Sequence, residues 1–252
     1  MNDVDKIKAD ADARDEEILL MGVTGSTAYG LAHADSDIDR LGIYAVPTER
    51  VFDIGWNQGK ASRVSNDPDV QLHEIGKYLK LILSGNPTIT ELLYLNEYDI
   101  GPKTDVGYNG YWSGRLMTNR QKLTSTKAVK EAYVSYAVAQ ANRLANRQEN
   151  GQKGFNSDLA KRTAKHGRHC FRLLLQAEQL LTEGTITIDV SGHRDELFSM
   201  GELAETNVSK FQEVFETRKQ EIDNMESVLA DDPDYEFVQD FLRKFRKSRL
   251  RR

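Results

Sequence analysis

The sequence MGVTGSTAYGLAHADSDIDRLGIY, residues 21–44, joins an apolar stretch, a turn of small residues and a cluster of acids. The apolar run over 18–24 has the length of a strand, and the small residues Gly25 and Ser26 end it. A second apolar run over 38–46 is also strand-like. This region therefore predicts two strands joined by a turn and an acidic loop.

Asp37 and Asp39 flank the first residue of the second run. Because alternate residues of a strand lie on one face, the two carboxylates are expected to project together from the start of this strand. Two adjacent carboxylates repel unless a cation lies between them. Mg²⁺ is commonly held by one or two carboxylates together with substrate phosphates, and metal ions can clamp the attacking and leaving oxygens of a displacement. The pair indicates phosphoryl or nucleotidyl transfer with Mg²⁺ or Mn²⁺.

The Gly25-Ser26 turn supplies what an anion requires. Its backbone N–H groups and the Ser26 hydroxyl are able to cradle a polyphosphate. Gly-Ser is also a common turn, and Asp-x-Asp is common in acidic loops, so either motif alone is usually structural. In this order and between two strands, they are much more specific.

The rest of the first half predicts a mixed α/β arrangement. We expect a helix over 3–17, strands over 60–66 and 69–73, and helices over 75–83 and 89–95. The second half is almost entirely helical in pattern. Its predicted elements are helices over 125–150, 156–184, 194–201 and 206–230, and one short strand over 185–190.

These patterns predict an α+β fold, with a small mixed sheet and flanking helices followed by a mainly helical region. The predicted domains are a catalytic core over 1–110 and a helical domain over 111–252 that ends in a basic tail. No apolar run approaches the length of a membrane span, and the acidic N-terminus is unlike a signal peptide. We therefore expect a cytoplasmic protein without a membrane partner. The single cysteine, Cys170, is expected to be a buried helix residue.

The charge is unevenly distributed along the chain. The formal net charge of the 252 residues is −5, but residues 115–172 carry a large excess of Lys and Arg, and the last ten residues are strongly basic. Such asymmetry favours a polyanionic partner. The alternative is a solvated basic face balanced by its acidic neighbours.

The spacing of Gly25-Ser26, ten residues and Asp37-Ile38-Asp39 resembles the hallmark of the polymerase-β-type nucleotidyltransferase superfamily. More narrowly, four blocks are similar to the bacterial and phage predicted nucleotidyltransferases that include the RNA-ligase-associated group. They are GSTAYGLAHADSDIDRLGIYAVP, LHEIGKYLKLILSGNPTITELLYL, YAVAQ and KHGRHCFRLLLQAEQLLTEGTITI. The resemblance implies that Gly25 and Ser26 bind the triphosphate and that Asp37 and Asp39 are catalytic metal ligands.

The superfamily's third acid, a metal ligand and often the base for the attacking hydroxyl, is placed less securely. We assign it to Asp69, which opens a predicted strand, and Glu74 is the alternative. Arg40 departs from the narrower family pattern, in which an apolar residue precedes the Arg, so a catalytic role for Arg40 is doubtful.

The resemblance also implies that Lys165, His169 and Arg172 contribute cations to the triphosphate or the acceptor. With Lys161 and Arg168 they recur at helical spacing, which predicts one basic stripe. The alternative is that this stripe only faces solvent. Tyr133, Tyr136 and Gln140 are expected on one face of the preceding helix, and Tyr29 lies in the opening block. These residues are expected either to stack on a base or to pack in the core. Asn86-Pro87 and Glu91 are interpreted as a helix break and cap.

Together these features predict a metal-dependent nucleotidyltransferase that moves an NMP from an NTP to a hydroxyl acceptor, here an RNA end, and releases pyrophosphate. Nucleotidylation of a protein or a small molecule would use the same donor site. A non-catalytic nucleotide- or RNA-binding regulator is the hypothesis from another class. The sequence does not identify the NTP or the oligomeric state.

Overall fold

The computed structural model describes residues 1–34, 36–101, 108–149 and 157–250. Asp35, in the predicted acidic loop, and Asn156, the first residue of the predicted helix over 156–184, lie outside these ranges. The chain forms two compact units: one combines Met1–Thr124 with Pro233–Arg252, and the other is Ser125–Asp232. This division differs from the predicted boundary after residue 110, both in its position and in the return of the C-terminal residues to the first unit.

One mixed sheet organises the first unit, with the strand order β1–β2–β4–β3. Its strands are β1 Glu17–Val23, β2 Arg40–Ala45, β3 Ser62–Asn66 and β4 Asp69–Glu74. β1 and β2 are antiparallel, β2 and β4 are parallel, and β3 and β4 are antiparallel. All four strands overlap the four strands predicted in the first half of the sequence, and the predicted α+β fold is confirmed.

In the described part of the first unit, five α-helices precede residue 125: α1 Asp3–Ala13, α2 Gly25–Ala28, α3 Ile75–Leu83, α4 Pro87–Glu91 and α5 Tyr108–Thr118. α1 ends earlier than predicted, because Asp15 has φ of 53° and the first strand begins two residues later. The predicted break at Asn86-Pro87 is confirmed: the Asn86 side chain accepts a hydrogen bond from Ile89 N at 3.2 Å, and the proline occupies the first turn of α4.

The second unit is helical, with α6 Thr126–Ala128, α7 Val134–Glu149, α8 Ser157–Glu183, α9 Arg194–Thr206 and α10 Val208–Asp223. A π-helical turn, Val129–Tyr133, joins the first two. A Cβ atom added at Gly167 would lie 2.7 Å from Ala204 Cβ, so the glycine permits the close approach of α8 and α9. Cys170 is fully buried in α8, as predicted, and burial raises the pKa of its thiol to about 12.

The predicted strand over 185–190 is wrong. Ile186, Ile188 and Val190 are buried while Thr187 and Asp189 are exposed, so the alternation of side chains is real. The described residues offer this segment no strand partner, and an extended chain without a ladder is not a strand.

Most of the predicted basic tail belongs to a helix, α11 Tyr235–Ser248. Its Phe241 and Phe245 are fully buried and meet the ring of Trp112 edge-on at centroid distances of 5.4 and 5.5 Å. Apolar side chains three and four residues apart form one face of a helix, and this face explains why the segment packs into the first unit.

Each helix within the described ranges is too short or too polar to cross a membrane.

Candidate active site

The small-residue turn follows β1 directly. Gly25 has φ of 68°, a left-handed conformation that favours glycine, and Tyr29 N donates to Gly25 O at 3.1 Å to close the turn. A Cβ atom at Gly25 would collide with the carboxylate of Asp39, whose Cγ would lie only 3.2 Å away. The backbone of the turn therefore rests against one of the two predicted acids.

The two acids lie just before β2 rather than on it, which corrects the predicted strand start. β1 ends at Val23, and Val23 is paired with Arg40, so the antiparallel ladder has no room to extend back to residue 38. Thr24 N donates to Asp39 O at 2.9 Å, and this hydrogen bond holds the Asp39 backbone next to the turn. Asp37 is exposed, and Asp39 is half-buried.

Asp69, the proposed third acid, opens β4 and is exposed. Arg40 is paired with Val70 across the parallel strands, so Asp39 and Asp69 occupy equivalent places, each one residue before this pair. Neighbouring strands lie roughly 4.8 Å apart, so the backbones of Asp39 and Asp69 lie side by side at the end of the sheet where β2 and β4 begin. Among the described residues, however, no three His, Cys, Asp or Glu side chains are grouped closely enough to hold a metal ion.

Glu74, the alternative third acid, has a structural role at the other end of β4. It is fully buried, its Oε2 accepts a hydrogen bond from Gly76 N at 2.8 Å to cap α3, and its Oε1 accepts one from Arg246. Burial raises the pKa of this carboxyl, while Arg246 opposes the rise. Both oxygens of Glu74 are therefore engaged within the protein.

Arg40 is also held by its own unit. Its Nε donates to Asp99 Oδ2 at 3.0 Å, and its Nη1 lies 3.5 Å from Asp3 Oδ2. These contacts anchor the beginning of β2, immediately after Asp39. Arg40 therefore stabilises the strand that carries the acids.

The predicted basic stripe belongs to the second unit and is not continuous. Lys161 and Lys165 are exposed, but the guanidinium of Arg168 lies 4.5 Å from the ring centroid of Phe198, and Arg172 is only 4% exposed. The helix turns its basic face from solvent into the core as it proceeds from residue 161 to residue 172. A charge pattern with helical spacing did not reveal this change of environment.

His169 and Arg172 are partners in this part of α8. Arg172 Nη2 lies 3.0 Å from His169 Nδ1, and Arg172 Nη1 donates to Gln176 Oε1 at 3.0 Å. Burial and the neighbouring cations lower the pKa of His169 to about 3, so its ring is neutral at pH 7. Since a guanidinium only donates, Nδ1 accepts and the ring proton is assigned to Nε2.

The aromatic candidates have different environments. Tyr133 is fully buried, Tyr136 is exposed, and Gln140 Oε1 lies 2.7 Å from His166 Nδ1. Core packing therefore describes Tyr133, while Tyr136 remains a surface residue.

Glu91 was assigned the wrong role by its sequence pattern. It is 1% exposed at the end of α4, and Tyr29 OH donates to its Oε2 at 2.7 Å. A carboxylate inside the apolar run TITELLYL was the available signal, because a buried charge requires hydrogen-bond partners. The sequence did not indicate that the partner is the tyrosine that closes the Gly25 turn.

Comparison with known proteins gives one family over nearly the whole chain. No match was found among curated proteins. Among solved structures, a nucleotidyltransferase-like protein from Exiguobacterium sibiricum is 15% identical, with 98% of this chain and 74% of that chain covered and a TM-score of 0.29, which is too low to support an inference. Residues 1–244 match the model of RlaP, the RNA repair pathway DNA polymerase beta family. A match of this extent, on a chain whose Gly-Ser turn contacts its Asp-x-Asp motif, shows that the protein belongs to the RlaP family.

Proposed function

We propose that the protein transfers a nucleoside monophosphate from an NTP to a hydroxyl group at an RNA end, releases pyrophosphate and requires Mg²⁺ or Mn²⁺. Membership of a polymerase-β-type family supports nucleotidyl transfer as the reaction class. The observation that carries the proposal is the contact between the Gly25 backbone and the Asp39 carboxylate. Because of this contact, the proposed phosphate-binding turn and the proposed metal ligand are neighbours.

In this proposal Gly25 and Ser26 hold the triphosphate, and Asp37 and Asp39 hold the metal. The donor set consists of hard carboxylate oxygens near solvent, which suits a cation that completes its coordination with phosphate oxygens and water. When bound, Mg²⁺ would neutralise the phosphates and polarise the phosphorus that is attacked. In this proposal the protein's own groups orient the donor, and the exposed Asp37 and Asp69 face the incoming acceptor.

The acceptor hydroxyl oxygen forms a bond to the α-phosphorus, and the bond from that phosphorus to the oxygen leading to the β-phosphorus breaks. Pyrophosphate leaves with the bonding electrons. We assign the proton of the hydroxyl to the carboxylate of Asp69, which lies at the same sheet edge as Asp39. A displacement of this kind depends mainly on alignment and on charge stabilisation.

Lys165, His169 and Arg172 of α8 are kept as proposed nucleotide-binding residues. The exposed ammonium group of Lys165 suits a phosphate oxygen, and the assigned Nε2–H of neutral His169 is a hydrogen-bond donor. Arg172 orients the His169 ring through Nδ1. The role of His169 in this proposal is that of a neutral donor.

RNA is the proposed acceptor because the family description names an RNA repair pathway and because Lys161 and Lys165 are exposed cations on α8. The C-terminal arginines give less support than expected, since Arg246 and Arg249 pair with Glu74 and Glu17. A protein or small-molecule hydroxyl would use the same donor site.

The test is transfer of label from each α-labelled NTP, with Mg²⁺ or Mn²⁺, to separate RNA, protein and small-molecule fractions. We expect label in RNA, and none with the double variant Asp37→Asn and Asp39→Asn. Asp53→Asn is the control, because Asp53 is exposed and lies outside both motifs. Unchanged transfer by the double variant would contradict the proposal, and label in another fraction would change the acceptor.

Binding without turnover would favour the regulator. Calorimetry with a non-hydrolysable NTP and Mg²⁺ measures binding separately from chemistry. If the wild-type protein binds the analogue but labels no fraction with any NTP, a non-catalytic nucleotide-binding role replaces the transferase.

A further inference from the structure

A hydrogen bond links the phosphate-binding turn to the interior of the first unit. Tyr29 closes that turn through its backbone, by donating from N to Gly25 O at 3.1 Å. Through its side chain, the same residue donates from OH to Glu91 Oε2 at 2.7 Å. One residue therefore connects the backbone of the turn to a carboxylate 62 positions further along the chain.

Glu91 is a firmly held acceptor. It ends α4, which begins at the capping residue Asn86 and is further fixed by Tyr78 OH, a donor to Ile89 O at 3.1 Å. Tyr78 is itself fully buried. At 1% exposure, the Glu91 carboxylate depends on donors from the protein, and a hydrogen bond to a charged group is stronger than one between neutral groups.

The turn itself is short, and at its start Thr24 N donates to Asp39 O at 2.9 Å. α2 has only four residues, none of them buried, and its cap Thr24 makes no side-chain capping bond. The backbone bonds Tyr29 N to Gly25 O and Leu31 N to Ser26 O define the shape of the turn. The Tyr29 side chain connects this shape to a rigid helix.

We propose that Tyr29 and Glu91 are positioning residues: their hydrogen bond holds the Gly25-Ser26 turn in the orientation that receives the triphosphate. This inference rests on the proposed function. It replaces base stacking as the role of Tyr29 and a helix cap as the role of Glu91. Neither side chain touches the reacting atoms, and both act through the turn.

Tyr29→Phe tests the inference, because it removes only the hydroxyl group. Tyr98→Phe is a matched control: Tyr98 OH donates to Leu92 O at 2.8 Å, next to Glu91, but outside the turn. We expect the Kd for a non-hydrolysable NTP with Mg²⁺ to rise about tenfold in Tyr29→Phe and to change less than about twofold in Tyr98→Phe. We expect thermal unfolding to shift similarly in both.

Glu91→Gln tests the acceptor while retaining an oxygen for Tyr29 OH. We expect a smaller rise in Kd than with Glu91→Leu, which removes the acceptor. If the hydrogen bond is the shared element, Tyr29→Phe combined with Glu91→Leu will weaken binding no more than the stronger single variant.

Amide hydrogen exchange separates the positioning role from the proposed function. We expect faster exchange over residues 25–31 in Tyr29→Phe, and wild-type exchange there in Tyr98→Phe. Wild-type Kd and exchange in Tyr29→Phe, or equal effects of the two variants, would overturn the inference. If the wild-type protein does not bind the analogue, the proposed function fails, and the exchange rates alone decide the positioning role: faster exchange supports it, and unchanged exchange overturns it.

Discussion

Helices α8 and α11 are both rich in Lys and Arg, yet their charges meet different surroundings. Arg246 of α11 donates to the buried Glu74, and Arg249, which follows the helix directly, donates to Glu17, so two cations of this segment are neutralised within their own unit. In α8, Lys161 and Lys165 are exposed to solvent. The comparison teaches that the charge a segment carries is different from the charge it offers to a partner.

The largest expected effect is on the buried pair of α11. Arg246→Ala leaves the carboxylate of Glu74 buried without its cation, and we expect the free energy of unfolding to fall by about 3 kcal/mol or more. Arg243→Ala, an exposed arginine on the same helix, is expected to change it by less than about 0.5 kcal/mol. Urea unfolding measures both variants. Equal midpoints would show that the buried Arg246–Glu74 pair adds no more stability than an exposed arginine.

The pH dependence of this variant provides a second check. Arg246 lowers the pKa of Glu74 against the effect of burial, so the pKa of Glu74 rises further in Arg246→Ala. A raised pKa favours the folded state at low pH, where the carboxyl is protonated, and costs stability as pH rises through it. The stability deficit of Arg246→Ala should therefore shrink as the pH is lowered toward about 4.5, the ordinary carboxyl value.

Exposed cations of α8 are expected to affect binding rather than stability. Combining Lys161→Ala with Lys165→Ala should lower the slope of log K against log salt for RNA binding by about 2 and weaken binding about tenfold at low salt. The double variant Arg243→Ala and Lys247→Ala removes two exposed charges from α11 and serves as the comparison. An equal loss in both would break the distinction between the helices.

The burial of His169 is expected to make the free energy of unfolding depend on pH under acidic conditions. Its pKa is lowered to about 3, so below pH 6.5 the unfolded chain binds a proton that the folded chain does not, and stability falls as the pH is lowered from 6.5 toward 3. In His169→Asn the unfolded chain should bind up to about one proton fewer relative to the folded chain, so the slope of the unfolding free energy against pH should decrease accordingly. His73, whose pKa is lowered to about 4, adds a slope of the same sign in both proteins. An unchanged slope would indicate that His169 is solvated.

The smallest effect is expected at the surface of α11. Lys244 and Asp240 form an exposed pair one turn apart, with Nζ 2.8 Å from Oδ2. We expect Lys244→Ala to cost about 0.5 kcal/mol or less, because exposed pairs gain little from their Coulomb attraction. A loss comparable to that of Arg246→Ala would mean that burial does not distinguish the two pairs.

Local patterns predicted the elements well and their environments less well. The apolar runs located β1 and β2, and the shorter predicted strands over 60–66 and 69–73 located β3 and β4. The side chains over residues 185–190 do alternate between buried and exposed, but a strand also needs a neighbour. Helical spacing placed the cations of α8 on one face without showing that Arg172 is buried. The Tyr29–Glu91 contact spans 62 positions, and no periodicity of the sequence encodes such a pairing.

Arg246 and Glu74 also bear on the order in which the chain becomes complete. The first unit is interrupted by residues 125–232 and regains its chain where Asp234 N donates to Lys122 O at 2.9 Å. During synthesis, Glu74 therefore emerges from the ribosome about 170 residues before its cation. Until α11 is made, the nascent sheet carries a carboxylate whose partner does not yet exist. The first unit is therefore completed only after residues 125–232 of the second unit have been synthesised.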